Sequence, residues 1–500
     1  MRTVCCNRYP IQRASGVYIL CLAIWLLAFL GWGVTHLEKF VQDDDEGMNL
    51  MKAQSVRAGY ALYRDIWSDQ PPLFTLLLAT VFNLFGPSVS AGRMLVLGFA
   101  LLALLSSGLI SRDIAGRIGS LASILFLATS DRFSSLALSI RIDLPAVSLT
   151  SLAVAFTLRY LRTGKRAWLL LTGVAFFSGL MTKPMGAYLA IPIVLALFLR
   201  ARRIPSHRWR DLACDLGLLA IIAAVGLAVC LVLFDGRALF EQIVGTELRS
   251  QQLYALGEAE TLERLGTYLR DAGWPYWGLI ALAIWGGFAL RTAQCQDEVL
   301  VILAVLFCTG GVLVTRVPLR RRYLLLLSVP LSVLGGAAVD DALHRLRESE
   351  AGGLWRSLSL GLSLGLVAFA LAGVGWEINH LLSPVHAGDQ LGEEAVEFIV
   401  QHTSPQAYII CDEGMITFRS GRRVPPSLSV ISGRRIETGG LTVEELIAAT
   451  QMYRPKAIVL WEDKLTNLPE YIAWVKAYYH PARVYDERHQ IFLLKAPRGE

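Results

Sequence analysis

Residues 214–234 read CDLGLLAIIAAVGLAVCLVLF, and one charged side chain, Asp215, interrupts this run of aliphatic and small residues. A helix of about 20 apolar residues is long enough to cross a hydrocarbon core of about 30 Å. Inside lipid every backbone polar group has to bond within its own segment, so the run is expected to be helical. The stretch therefore predicts a transmembrane helix.

Similar runs recur through most of the chain. Its 500 residues are 54% hydrophobic and 18% charged, with a mean hydropathy of +0.48, whereas a soluble domain carries about 25% charged residues. We predict a polytopic α-helical membrane protein with about 11 spans. They are placed at 16–36, 91–110, 118–137, 144–161, 167–182, 186–200, 214–234, 273–290, 298–315, 322–339 and 356–377.

Residues 382–500 differ from the membrane domain, 1–381, because charged residues return, prolines are common and no apolar run is long enough to span. Alternating helix and strand patterns predict a small soluble α/β domain. The helices are expected at 393–401, 443–453 and 468–479, and the strands at 407–411, 457–461 and 490–494. Its pairs Asp412-Glu413, Arg422-Arg423 and Arg434-Arg435 are predicted to lie on a solvated surface. Binding of an acceptor or partner is the role we expect for this domain.

Basic turns indicate which side of the membrane each loop faces. Arginines flank the turn at 112–117, and Lys and Arg also crowd the turns at 159–166 and 200–210. These turns alternate onto one side, which the positive-inside rule makes cytoplasmic. The loops 37–90 and 235–272, together with the C-terminal domain, are then predicted on the outer side. Loop 235–272 has a helix-like pattern that suits either a lid over a site or a helix lying on the membrane.

Segment 72–86 is apolar but short, and prolines stand at its start. If it crossed the membrane, the turn at 112–117 would face outward and every later loop would be inverted. We therefore predict a re-entrant or interfacial segment within the first outer loop.

Carboxylates gather at the outer edge of the membrane. The run Asp43-Asp44-Asp45-Glu46 follows the first span, and a second outer turn contains Arg141 and Asp143. Adjacent carboxylates repel one another, and their pKa values rise unless cations or a metal pair with them. The alternative interpretation is a helix start, where acidic side chains complement the positive end of the helix dipole.

Cations are predicted at the same edge, against the positive-inside rule. Lys183 ends the fifth span, and the turn 316–323 contains Arg316, Arg320, Arg321 and Arg322. A guanidinium binds phosphate with two hydrogen bonds, although snorkelling at the interface would also explain single arginines. Acids and cations above an apolar surface suit chemistry on a lipid-linked phosphate. In such a reaction a carboxylate takes a proton and the cations stabilise the leaving phosphate.

Several segments resemble the membrane glycosyltransferases of the GT-C superfamily. The closest group is the protein mannosyltransferase family and its bacterial relatives, including the aminoarabinose transferase acting on lipid A. The specific part is the first outer loop: Asp45-Glu46-Gly47, Gly59 to Asp65, Gln70 to Leu73, Leu84 to Gly86 and Ala91 to Arg93. Supporting segments are Arg141 to Pro145, Gly179 to Lys183, and Arg322-Tyr323 with Pro330. The resemblance covers the membrane domain to about residue 340.

This resemblance implies a GT-C-like fold and direct, inverting transfer of a sugar from a polyprenyl-phosphate donor to a lipid, glycan or protein acceptor at the outer face. By the matching positions, Asp45 is the general base, Glu46 orients it and Asp143 is the second acid. The donor phosphate would be held by Arg141, Lys183, Arg320, Arg321, Arg322 and Tyr323. No cofactor is expected to be required, although the acid-rich loop leaves a divalent metal open.

One position departs from the pattern. The aminoarabinose transferase has Lys-Pro where this chain has Gln70-Pro71, so one phosphate ligand is either missing here or supplied by Lys52, Arg57 or Arg64. We expect a multi-pass protein of a bacterial plasma membrane, with its site and C-terminal domain on the outer side and no nucleic-acid partner.

Two alternatives from other classes stay open. A transporter or flippase for a lipid-linked or anionic substrate should carry ionisable residues and broken helices near the bilayer midplane. A non-enzymatic scaffold that presents the soluble domain would leave the acidic loop and the arginines apart in space.

Overall fold

The computed structural model describes residues 16–38, 43–203, 208–254, 258–292, 295–315, 319–347, 354–382 and 390–495. Their membrane-domain helices are α1 Gly16–Val34, α2 Asp44–Arg57, α3 Leu73–Phe85, α4 Val89–Thr129, α5 Asp131–Ala137, α6 Asp143–Thr163, α7 Arg166–Leu180, α8 Ala190–Arg202, α9 Arg208–Leu233, α10 Gly236–Phe240, α11 Thr246–Leu253, α12 Glu258–Asp271, α13 Gly273–Ala289, α14 Gln296–Thr315, α15 Leu325–Arg347 and α16 Leu354–Leu382. Short 3-10 helices occupy Pro184–Leu189, Leu290–Thr292 and Arg321–Leu324, and a π-helical turn occupies Glu241–Gly245.

The prediction of a multi-span membrane protein is confirmed. Among the described residues, eight helices are long and apolar enough to cross a membrane. Residues 214–233 of the opening run lie in α9, whose apolar side chains are largely exposed; Val232, for example, is 84% exposed. Such exposure suits a helix that faces lipid. The number of spans stays a prediction, because α7 and α13 have only 15 and 17 residues.

The long helix α4 is two predicted spans joined at a sharp turn. Gly116 has φ +72° and interrupts the helix, a conformation that a residue without a Cβ adopts easily. The arms lie side by side, since Ser107 and Ser123 share a hydrogen bond of 2.7 Å and the Ser120 hydroxyl donates to the Gly108 carbonyl at 2.8 Å. The turn between the predicted spans 91–110 and 118–137 is therefore where the sequence indicated.

The basic turns meet at one end of the helical bundle. Arg159 and Arg162 both pair with Asp113 in the α4 turn, and Arg203 donates to the Leu161 carbonyl at 3.2 Å. Helix α6 runs from Asp143 to this end, so Asp143 lies at the opposite end. The predicted grouping of the basic turns is present, while their cytoplasmic location stays a prediction.

Helix α3, within the predicted interfacial segment 72–86, has 13 residues. Its length is about 20 Å at 1.5 Å per residue, which is shorter than the hydrocarbon core. Phe74, Leu78 and Phe82 are buried on one face, whereas Leu84 and Phe85 at its end are exposed. These features favour the interfacial placement.

The C-terminal domain is a small α/β unit, as predicted. Its helices are α17 Gln390–His402, α18 Gly414–Ser420, α19 Gly433–Glu437, α20 Val443–Tyr453, α21 Asp463–Thr466 and α22 Pro469–Tyr478, and its strands are β1 Ile409–Cys411, β2 Ala457–Leu460, β3 Tyr479–Val484 and β4 Gln490–Leu494. The sheet order is β1-β2-β4-β3, with β1 parallel to β2, and β4 antiparallel to both of its neighbours. Strand β3 was missed because it follows α22 directly and most of its side chains are exposed.

The prediction of a solvated surface for three charged pairs of this domain is wrong for most of their residues. Asp412, Glu413, Arg422 and Arg435 are buried. Asp412 accepts backbone N–H groups ahead of and within α21, and the two arginines donate to backbone carbonyls. They satisfy loop backbone inside the domain, a role that sequence pairing alone does not reveal.

The C-terminal domain packs directly on the membrane domain through α18 and α2. Gly47 and Gly414 bring their backbones so close that a Cβ added to Gly47 would lie 2.2 Å from the Met415 nitrogen. Met415 and Phe418 join the apolar core of the membrane domain, and the Phe418 ring stacks on Phe82 at 5.7 Å. This end of α2 is the one that carries the acidic run.

Candidate active site

The acidic run begins a helix, as the alternative interpretation of the sequence proposed. Asp43 is the N-cap of α2 and its carboxylate accepts the Glu46 N–H at 3.2 Å. Successive residues of a helix point about 100° apart, because one turn takes 3.6 residues. The four carboxylates therefore face different partners, which reduces their mutual repulsion.

Glu46 points away from the other acids into the core. Both of its oxygens accept hydrogen bonds of 2.8 Å from Arg93 of α4, and both side chains are nearly inaccessible to solvent. One oxygen also accepts the Ile140 N–H at 3.2 Å. Glu46 thus fixes the start of α2 against α4 and against the loop that carries Arg141.

Arg141 connects two of the acids. Its Nε and Nη2 donate to the two oxygens of Asp43 at 2.8 Å, and its Nη1 donates to Asp45 at 2.7 Å. Arg322, at the start of the span that contains α15, also donates to Asp45. Asp45 therefore sits between two arginines from distant parts of the chain.

A second ion pair lies beside the first. The Lys183 ammonium donates to Asp143 at 2.6 Å, and the Arg322 Nε lies 3.8 Å from the other Asp143 oxygen. The same ammonium lies 4.9 Å from the centre of the Tyr323 ring, a cation–π distance. Asp45, Asp143, Lys183 and Arg322 thus form one charged cluster.

The surroundings of the two partly buried aspartates separate their pKa values. For Asp45, burial works upward, but Arg322, Arg141 and Lys183 outweigh it and lower the pKa below its usual value. For Asp44, burial dominates over the attraction of Lys464 and raises the pKa to about 6. Asp45 is accordingly a carboxylate at neutral pH, and Asp44 titrates in a mildly acidic range.

The cluster forms one wall of a cavity with a volume of about 490 Å³. Asp44, Asp45 and Asp143 lie on this wall. The roof comes from two other regions: Ile243, Glu247, Gln251 and Tyr254 of the loop 235–272, and Val430, Ser432, Gly433, Arg434 and Glu437 of the C-terminal domain. The loop 235–272 therefore covers the cavity in part, through residues that precede α12.

Most of the predicted phosphate-binding residues line this cavity. They are Arg141, Lys183, Arg320, Arg322 and Tyr323. Arg321 instead donates to the Asp271 carbonyl at 2.7 Å, outside the cavity. Glu46 does not line it either, and Arg316 lies outside the described residues.

Three cations were proposed to replace the lysine that this chain lacks before Pro71. Of these three, Lys52 lines the cavity. It lies two turns after Asp45 on α2, about 10 Å along the helix axis. Its side chain is buried, and no hydrogen bond or ion pair joins it to another described residue. Burial lowers its pKa, against the pull of Asp69 and Asp45. Arg57 and Arg64 are exposed.

Two contacts of the C-terminal domain were not predicted. Arg434 lies 3.5 Å from Asp69 and 3.4 Å from Glu247, so it connects the C-terminal domain to the loops 37–90 and 235–272. Lys464 donates to Asp44 at 2.5 Å. No local pattern marks either residue, because both come to the site from a separate domain.

Two small, mainly apolar cavities lie next to the main one, inside the membrane domain. The first, of about 20 Å³, shares Asp143, Lys183, Arg322 and Tyr323 with the main cavity. The second, of about 30 Å³, shares Val147, Thr150, Tyr188 and Leu326 with the first and extends to Val333. The charged cluster therefore adjoins small apolar cavities among α6, α14 and α15.

Within the part of the chain that the structure describes, no three His, Cys, Asp or Glu side chains are placed to hold a metal ion. Metal independence stays a prediction.

Residues 69–231 match the family described as dolichyl-phosphate-mannose-protein mannosyltransferase. A search of curated proteins by sequence gave no match.

Solved structures show a wider likeness. ArnT from Cupriavidus metallidurans bound to undecaprenyl phosphate is similar over 96% of this chain and 98% of its own, with 15% identity and a TM-score of 0.67. The archaeal oligosaccharyltransferase AglB from Archaeoglobus fulgidus, in complex with an inhibitory peptide and a dolichol-phosphate, is similar over 96% of this chain and 74% of its own, with 10% identity and a TM-score of 0.55. The arabinofuranosyltransferase AftD from Mycobacteria is similar over 97% of this chain and 40% of its own, with 13% identity and a TM-score of 0.52. The fold of this chain is therefore the one that these solved structures share, and residues 69–231 match the family described as dolichyl-phosphate-mannose-protein mannosyltransferase.

Proposed function

We propose that the protein transfers a sugar from a polyprenyl-phosphate donor to an acceptor hydroxyl, with inversion at the anomeric carbon. The observation that carries this proposal is the position of Asp45. It lies in a charged cluster with Lys183 and Arg322, next to a small apolar cavity of about 20 Å³. The phosphate of an isoprenoid donor needs cations, and its chain needs apolar surroundings beside them.

The neighbouring structures support this class of donor. The structure of ArnT contains undecaprenyl phosphate, and that of AglB contains a dolichol-phosphate. Lys183, Arg322 and Tyr323 line both the main cavity and the adjoining apolar one. They would hold the phosphate where the two cavities join.

In the proposed reaction the acceptor oxygen attacks the anomeric carbon as the bond from that carbon to the phosphate oxygen breaks. Asp45 takes the acceptor proton, and polyprenyl phosphate leaves with its electron pair stabilised by the cations. Asp143 holds the Lys183 ammonium in place before the donor arrives.

The pairing of acids with cations has a consequence for the order of events. Without donor, Arg322 and Arg141 neutralise Asp45 and keep its pKa low. A donor phosphate competes for the same guanidinium groups. Binding of the donor would therefore weaken the contacts of Arg322 and Arg141 with Asp45. The affinity of Asp45 for the acceptor proton would then rise.

The location of the ionisable groups favours an enzyme over the transporter alternative. Asp45 and Asp143 lie at one end of the bundle, and the Asp113 pairs lie at the other. A transport site is expected near the midplane, at broken helices. We propose that the end with Asp45 faces outward from a bacterial plasma membrane.

The test is sugar transfer by purified full-length protein in nanodiscs, using a panel of radiolabelled undecaprenyl-phosphate sugars and a membrane lipid extract as the source of acceptor. We expect one donor to support transfer and Asp45→Asn to reduce kcat by about 10²–10⁴-fold, the usual share of a general base. Asp297→Asn is the matched control, because Asp297 also pairs with an arginine but at the opposite end of the bundle. Equal turnover by Asp45→Asn and the wild type would remove Asp45 as the base.

A further inference from the structure

The C-terminal domain places one lysine against the acidic run of α2. The Lys464 ammonium donates to Asp44 Oδ1 at 2.5 Å and to the Asp412 carbonyl at 2.8 Å. The lysine side chain is 12% exposed, and Asp44 lines the main cavity. A residue of the separate domain is therefore in contact with the residue that precedes the candidate base.

The segment that carries Lys464 is itself held firmly. The Asp412 carboxylate accepts the N–H groups of Trp461, Glu462 and Leu465, at 2.8, 3.1 and 3.2 Å. These bonds tie the start of α21 to the end of β1. The backbone that carries Lys464 is therefore fixed, so the contact of its ammonium with Asp44 does not depend on a flexible loop.

Helix α2 meets the C-terminal domain at two further places. The Gly47 and Gly414 backbones are in close contact, and the hydroxyls of Ser55 and Ser429 share a hydrogen bond of 2.8 Å. These contacts fix the position of α2 along its length. They do not hold the Asp44 carboxylate, which Lys464 contacts.

We propose that Lys464 is a positioning residue of the active site: by binding Asp44, the C-terminal domain holds the first turn of α2 so that Asp45 points into the cavity. This proposal rests on the proposed function only where sugar transfer is measured. The ordering of α2 can be measured without any substrate.

The charges around Asp44 make this contact sensitive to pH. Facing it are Lys464, Asp45 and Glu462, and Glu413 is close enough to feel its charge. Burial raises the pKa of Asp44 to about 6 and that of Glu413 to about 8. Above pH 6 Asp44 is charged and binds Lys464. As the pH is lowered through about 6, Asp44 gains a proton and the ion pair is lost.

The first experiment is hydrogen exchange of the peptide 44–57 in the full-length protein in nanodiscs. We expect Lys464→Met to increase exchange in the first turn of α2 at pH 7.5, while Lys464→Arg and the exposed control Lys476→Met behave as the wild type. Asp44→Asn should show the same weaker protection at pH 7.5, and it provides the test if Lys464→Met does not fold.

The second experiment measures transfer by the same variants. We expect kcat of Lys464→Met to decrease about 10-fold with an unchanged KM for the donor, and Lys464→Arg to restore most of it. Unchanged exchange in both Lys464→Met and Asp44→Asn would overturn the proposal, as would increased exchange with wild-type kcat. If the wild type transfers no sugar, the proposed function is lost, and the exchange data still decide whether Lys464 orders α2.

Discussion

Arg322 donates a hydrogen bond to Asp45 across 277 residues of sequence. The same side chain lies 3.8 Å from Asp143, so it bridges two of the acids that line the cavity. Because Arg322 contacts two carboxylates, its side chain is held in place when no phosphate is bound. A bound phosphate can then replace the carboxylates as the acceptor of hydrogen bonds from Arg322. This relationship leads to the first prediction.

Arg322→Ala should move the acid limb of kcat/KM to higher pH. Arg322 lowers the pKa of Asp45, so the wild type keeps an ionised base at lower pH. Without Arg322 that pKa rises, and the base becomes protonated at a higher pH. The pH–rate profile measures the shift, because kcat/KM reports the free enzyme. Arg321→Ala is the control, since Arg321 donates to the Asp271 carbonyl instead; an unmoved limb in Arg322→Ala would contradict the assignment.

Lys52→Met should weaken binding of an anionic substrate group. The ammonium lines the cavity, and no described residue pairs with it. A hydrogen bond to a charged group contributes about 1.5–3 kcal/mol, so KM should rise about 10–100-fold. Measuring KM separately for donor and acceptor shows which one Lys52 contacts. Arg57→Met, an exposed cation on the same helix, should leave both constants unchanged.

Arg93→Met should destabilise the whole protein, because it leaves the Glu46 carboxylate buried without its partner. Breaking one side of a buried ion pair costs about 3–5 kcal/mol. The variant should unfold at a clearly lower temperature in nanodiscs. The double variant Glu46→Leu with Arg93→Leu should recover much of the loss, and a double variant no more stable than the single one would contradict this account.

Gly414→Ala should loosen the contact between the C-terminal domain and α2. Its added Cβ would lie 2.6 Å from the Gly47 carbonyl carbon, which is backbone and cannot rotate away. Overpacking of this kind costs about 1–3 kcal/mol. Limited proteolysis should release the C-terminal domain faster than in the wild type. Gly98→Ala, where the added Cβ meets nothing within 4 Å, serves as the control.

Much of the fold could be predicted because apolar runs, basic turns and helix caps are local signals. The capping box of Thr442 and Glu445 begins α20 where the sequence indicates. The grouping of Asp45, Asp143, Lys183 and Arg322 was also predictable, because each stands at the edge of a predicted span. Topology then brings span ends together.

The direction of individual side chains was not predictable. Glu46 follows Asp45, yet one step along a helix turns it by about 100° into the core. Arg321 and Arg322 differ in the same way within a 3-10 helix. Arg434 reaches the cavity, and Lys464 reaches Asp44, through the packing of two domains, and no local pattern encodes either contact.

The roof of the cavity also determines when the site is completed during synthesis of the chain. Ribosomes make the membrane helices first, and the residues that close the cavity from above, 430–437, come late in the chain. Until that domain folds back, the acids and arginines face water that screens them. A half-made chain can enter the membrane but holds an open, hydrated cluster, and the cavity gains its roof only after residues 430–437 have been made and folded.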